Sequence, residues 1–181
     1  KITKKMENSH WAIDPTHSEI GFKVKHMMFT NVSGKFNSFE ATIQNEDNNF
    51  ETSKINFSAD TTSVDTNNAD RDSHLKSADF FDVDNFPKLS FVSTDVKKIN
   101  EGEYKISGDL TIKDVTKSIV LDVEYSGLMT DPWGNTKIGL SLNGKINRKE
   151  FGLTWNSTLE AGGVLVGEEI KLVSEIQFIK Q

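Results

Sequence analysis

The chain has no cysteine among its 181 residues. That absence excludes disulfides, thiolate nucleophiles, cysteine-ligated zinc and iron–sulfur clusters together. It leaves the redox compartment open, because an oxidising environment permits disulfides without requiring them. An excess of positive charge is missing too: 21 Lys and Arg stand against 27 Asp and Glu, a net charge of −6. Nucleic acids and anionic membranes reward a basic face, so neither is expected as the main partner. Long apolar runs are absent, the longest being fragments such as Ile119-Val120-Leu121 and Val164-Leu165-Val166. A bilayer-spanning helix needs ~18–20 such residues, so an integral membrane protein is not expected. Proline occurs only at positions 15, 87 and 132, each near the end of an expected strand, which suits a sheet that needs every backbone donor.

What remains is the composition of a soluble globular protein: 27% charged residues, 9% aromatic, and 12 Phe. The length fits one domain with a real core, read as residues 11–181 after a flexible segment 1–10. Lys1-Ile2-Thr3-Lys4-Lys5-Met6 is basic, with no apolar stretch after it, so no intact signal peptide is expected. Periplasm and cytoplasm both stay open, as does a homodimer.

Alternation with period 2 dominates the chain. Tyr104, Ile106, Gly108, Leu110 and Ile112 share one face, and Glu103, Lys105, Ser107, Asp109 and Thr111 the other. That is a strand with one wet side. The pattern recurs in Ile119, Leu121, Val123 and Tyr125, in Ile138, Leu140 and Leu142, and in Ile170, Leu172, Ile176 and Phe178. Nearer the start it recurs in Ile20, Phe22 and Val24, and in Phe39, Ala41 and Ile43. Asn100-Glu101-Gly102, Asp131-Pro132-Trp133-Gly134-Asn135 and Gly162-Gly163 have loop composition, so neighbouring strands should form antiparallel hairpins. One polar stretch, Asp65 to Phe81, breaks the rhythm: Asn67-Asn68-Ala69-Asp70 can cap a short helix there. Leu75, Phe80 and Phe81 are expected to turn inward from it as a lid, with Arg71, Asp72 and Lys76 outward. About eight strands with one apolar face each leave a closed barrel or a sandwich, and long meandering strands favour the barrel. The small residues Gly108, Ser174 and Ala41 on the inward phase either leave room for a ligand or fit the barrel's taper.

Chemistry-bearing motifs are sparse. His17 and His26 lie at an odd offset and would face opposite sides of one strand, and His10 and His74 have no ligand spacing, so no metal is expected. Asp82-Val83-Asp84-Asn85 resembles a calcium loop, but Pro87 and Ser93 stand where Gly and Glu are needed. Asp72-Ser73-His74 has the residue types of a relay, yet consecutive residues rarely place three side chains in line. No Gly-x-Ser-x-Gly elbow, P-loop or Gly-x-Gly-x-x-Gly is present, and no cofactor is expected. Trp11, Trp133 and Trp155 fall near expected strand ends and loops, where packing at a rim is their ordinary use.

Four segments add a resemblance: Trp11-Ala-Ile-Asp14-Pro-Thr-His17-Ser18 through Phe22, Val24, His26 and Val32-Ser-Gly34-Lys-Phe36; Arg71-Asp-Ser-His74-Leu75-Lys76-Ser77-Ala-Asp79-Phe80-Phe81-Asp82; Gly108-Asp-Leu110-Thr111-Ile112-Lys-Asp-Val115-Thr116-Lys117; and Arg148-Lys-Glu-Phe151-Gly152-Leu153. Together they resemble the YceI-like family of bacterial polyisoprenoid-binding proteins, and Asp114 stands where that family often has Gly. The resemblance implies an extended, lipocalin-like barrel of eight antiparallel strands with a short helical cap. It also implies a long isoprenoid chain in the pore, and the favoured reading is a non-catalytic carrier that sequesters a long polyisoprenoid, of the isoprenoid quinone or polyprenyl phosphate type. Phe22, Val24, Phe36, Leu110, Leu121, Val123, Leu140 and Leu142 are the expected lining, with His26 at the rim. A fatty-acid or other amphiphile carrier would need a cationic anchor, for which Arg148 or Arg71 would have to point inward. An enzyme would use His74 or His26 as base, and a module working through its surface is a further alternative.

Overall fold

A computed structural model describes residues 7–157 and 165–181. Eleven strand segments run in chain order: β1 (Asn8–Ile13), β2 (Glu19–His26), β3 (Thr30–Phe36), β4 (Phe39–Glu46), β5 (Asn49–Asp60), β6 (Val64–Asp65), β7 (Lys88–Asn100), β8 (Glu103–Ile112), β9 (Val115–Thr130), β10 (Thr136–Asn147) and β11 (Val166–Lys180). The helix α1 (Ala69–Lys76) lies between β6 and β7. Every pairing is antiparallel, and the sheet closes where β1 meets β11.

Ten of the eleven segments make eight staves. β1 and β2 pair in succession along β11, Ile13 opposite Phe178 and Glu19 opposite Glu175. β4 and β3 pair in succession along that same composite stave, Ile43 opposite Trp11 and Phe36 opposite Ile20. The ring is therefore a meander of these two broken staves with β5, β7, β8, β9, β10 and β11. The short β6 and α1 sit in the β5-to-β7 connection. The first break is built by the 3₁₀ turn Pro15–His17, whose N-cap Asp14 accepts from the Thr16 N–H. The expected flexible segment 1–10 needs correction at its end: Asn8, Ser9 and His10 pair with Glu46, Asn45 and Gln44, because β4 extends past Trp11 and supplies a partner.

The core lies inside the ring. Ile106, Leu110, Ile112, Val123, Leu140 and Phe178 are buried on the inward phase. One end is sealed by Trp11, Ile43, Phe50 and Ile138, all at most 2% exposed. Phe50 stacks on Tyr125 at 4.5 Å between ring centroids and meets Tyr104 edge-on at 4.9 Å, completing the floor. Trp11 is thus a floor residue inside β1 and not a rim residue at a strand end; its indole N–H donates to Asn45 Oδ1 at 3.1 Å. Trp133 does occupy a hairpin, between β9 and β10. Gly162-Gly163 lies outside the described residues.

Candidate functional site

Above the floor the staves enclose a cavity of about 520 Å³. Its wall is built from the inward phase of successive strands: Phe22 and Val24 from β2, Phe36 from β3, Leu110 from β8, Leu121 from β9, and Leu140 and Leu142 from β10. Leu75, Phe80 and Phe81 reach it from α1 and the turn that follows. His26 lies at its edge, at the end of β2. Val123 does not reach it. It stands opposite Tyr104 and is 3% exposed, so the aromatic floor takes the space it would have lined.

Phe57, Phe91 and Trp155 are among the lining groups absent from the expected set. Phe57 and Phe91 oppose each other on β5 and β7, strands whose alternation is short. Trp155 comes from an irregular segment with no periodicity to read; only its aromaticity marked it. Of the small inward residues, Ser174 and Ala41 do border the cavity. Gly108 leaves no room: a Cβ there would run into the Phe91 ring and the Val92 carbonyl, so the glycine admits an aromatic and not a ligand.

Polar groups gather at the end opposite the floor. Asn68 caps α1 by accepting from the Arg71 N–H at 3.0 Å. Arg71 was expected to point outward, but it borders the cavity, because its Nε and Nη2 donate to Thr66 Oγ1 and O at 2.7 Å each. Asp72 also turns back, accepting from the Thr66 N–H at 2.8 Å, and Lys76 is half-buried. His74 sits edge-on to Phe80 and Trp155, at 5.1 and 4.5 Å, and its Nε2 bonds Asp79. Asp72 and His74 therefore face different partners, Thr66 and Asp79, and the three consecutive residues form no relay. His17 is likewise engaged by Asp14 at 2.8 Å, and the described residues hold no cluster of metal-ligand type.

Arg148 points inward and is 2% exposed. Its guanidinium donates to the carbonyls of Gly167, Leu153, Trp155 and Val166 at 2.8, 2.6, 2.9 and 3.2 Å. Burial pushes its pKa down, partly offset by Glu168. Four of its five N–H groups are spent on backbone, so it acts as a clamp joining the turn after β10 to the start of β11.

A closed antiparallel barrel of eight staves, sealed at one end, apolar inside and polar at its other rim, is the architecture of a lipocalin-like container. The match to the YceI-like domain model over residues 11–178 places the chain within that class, and it belongs to the YceI-like family. A UPF0312 protein of Staphylococcus aureus (strain USA300) is 36% identical over 171 residues, covering 94% of this chain and 97% of that protein. The Campylobacter jejuni YCEI protein superposes with a TM-score of 0.75 at 34% identity, over 100% of this chain and 99% of that one. A polyisoprenoid-binding domain from Saccharophagus degradans, implicated in plant cell wall breakdown, shares the fold with a TM-score of 0.66 at 12% identity, over 94% and 98% of the two chains.

Proposed function

We propose that this protein is a non-catalytic carrier that holds the hydrocarbon tail of a polyisoprenoid lipid, an isoprenoid quinone or polyprenyl phosphate, inside the barrel. The observation that carries the reading is the cavity itself: about 520 Å³, walled by Val, Leu, Ile and Phe side chains, with its charged groups confined to one rim. Such a volume lies within the ~300–1,000 Å³ of ordinary ligand pockets. Burying a tail at roughly 25 cal/mol per Å² gives strong binding with few polar contacts. The tail would lie along the barrel axis with its head group beside His26 and Arg71.

A second reading, a fatty-acid carrier, is favoured by Arg71 at the rim and disfavoured by Arg148, four of whose five N–H groups are already taken. Organic extraction of the purified protein followed by mass spectrometry separates them. A polyprenyl compound released at close to one per chain is the expected result. An extract of fatty acids alone, or none after refolding with prenyl lipid, contradicts it.

A further inference from the structure

The hairpin between β2 and β3 carries the most exposed apolar group at the rim. Met27, Met28 and Phe29 are 43, 59 and 85% exposed. They form a turn in which the Phe29 N–H donates to the His26 carbonyl, and Met27 and Met28 sit at φ of 53° and 64°. Two successive left-handed residues define a type I′ turn, which ordinarily uses Asn and Gly. Methionine there is strained and gains no burial. The turn is joined to the cavity's edge: the Met27 N–H donates to the Leu165 carbonyl, and Leu165, Val166, Lys25 and His26 all border the cavity.

The charge of the hairpin departs from that of the chain. Between Ile20 and Phe39 there is no acidic residue, and of the three lysines Lys35 lies opposite Asp65 on β6, which leaves Lys23 and Lys25, among the described residues, as the unmatched pair nearest the tip. Lys23 also lies across from Lys171 on β11. The acidic residues nearest in β11, Glu168 and Glu169, face Lys149 at 2.8 Å and Lys145 at 3.9 Å. Since charge is screened beyond roughly 8–10 Å, the local excess at the tip decides what it meets, and not the net charge of −6.

We propose that the Met27–Phe29 tip docks the rim of the barrel onto an anionic lipid bilayer, the apolar side chains entering the interface while Lys23 and Lys25 meet head groups. An apolar insertion beside basic residues is the two-part signal that holds a peripheral protein on a membrane. The geometry places the cavity edge at the bilayer, where a lipid tail enters or leaves without crossing water. This rests on the carrier reading above.

The test is co-sedimentation with vesicles of phosphatidylglycerol and phosphatidylcholine, using the full chain as purified. Binding should fall at least tenfold in Met28→Ser/Phe29→Ser. It should fall equally in Met27→Asn/Met28→Gly, a pair that suits the turn and should melt no lower than wild type. Lys23→Glu/Lys25→Glu should lose the preference for phosphatidylglycerol over pure phosphatidylcholine. Trp133→Ser, an exposed aromatic at the far end of the barrel, should bind as wild type does. Absence of vesicle binding by wild type, or equal binding by all variants, overturns the proposal. So does a dimer in ultracentrifugation that dissociates in Met28→Ser/Phe29→Ser while no variant binds vesicles, which assigns the tip to a second copy. Extracting lipid from the same samples keeps the two readings apart: a full barrel that ignores vesicles contradicts docking alone, and an empty barrel that binds them contradicts the cargo alone.

Discussion

Asp14 shows how one side chain holds a joint. It accepts from the Thr16 N–H at 3.1 Å, Thr16 Oγ1 at 2.8 Å and His17 Nδ1 at 2.8 Å, with Lys137 Nζ 3.6 Å away. Burial alone would raise its carboxyl pKa, but the hydrogen bonds from His17 and Thr16 outweigh it and hold the value at about 2, against 3.8 ordinarily. Because the folded value is depressed, the stabilisation is complete above the unfolded pKa and drains away as pH falls from about 4 toward 2. Asp14→Asn keeps a capping oxygen and loses the charge. It should cost about 1 kcal/mol at pH 7, a fall in Tm of ~2–4 °C for a domain of this size. Thermal melts from pH 7 to pH 2 check it: the gap between wild type and variant should close below pH 4, and parallel curves would refute the assignment.

At the scale of elements, alternation made most strands legible and hid how they join. Ile13 and Glu19 are six residues apart, while their partners Phe178 and Glu175 are three apart. The odd excess flips the inward phase from Trp11 and Ile13 to Ile20, Phe22 and Val24, so one stave reads as two strands. Phe36 and Ala41 straddle the second break in the same way. The inward placement of Leu75, Phe80 and Phe81 was legible as three apolar residues in a polar stretch, but the inward turn of Arg71 and Asp72 was not, because it depends on Thr66, a residue without any sequence signal of its own. Val123 failed for a related reason: its phase is right, and only the stacking of Phe50 on Tyr125 shows that its level of the barrel is filled. Since α1 has no buried residue, it should open more readily than the staves. Hydrogen exchange of residues 69–76 should slow when prenyl lipid is added, and Asn68→Ala should speed it by about fivefold, as expected for ~1 kcal/mol of lost capping. Exchange indifferent to lipid would leave α1 a fixed part of the wall.

For the whole molecule, eight closed staves solve two problems together. Closure leaves no long bare edge, and it turns the apolar faces of all the strands toward one axis. Aromatics fill one end of that axis, and the other end stays open enough to form the cavity. On the carrier reading proposed above, binding rests on exclusion of water more than on particular contacts, so occupancy is most sensitive to charge or bulk placed on the wall. Leu140, 4% exposed on the wall, and Val120, 52% exposed on the outer face, separate the two surfaces of the barrel. The decisive measurement is prenyl-lipid occupancy, by extraction and native mass spectrometry, of Leu140→Arg, Ser174→Trp and Val120→Arg beside circular dichroism melts. An arginine on the dry wall is an unpaired buried cation, and tryptophan at Ser174 fills the space without charge. Val120→Arg should keep full occupancy, while Ser174→Trp and any folded Leu140→Arg should lose it at least tenfold. Folded wall variants that still carry a full complement of prenyl lipid would place the cargo outside the barrel.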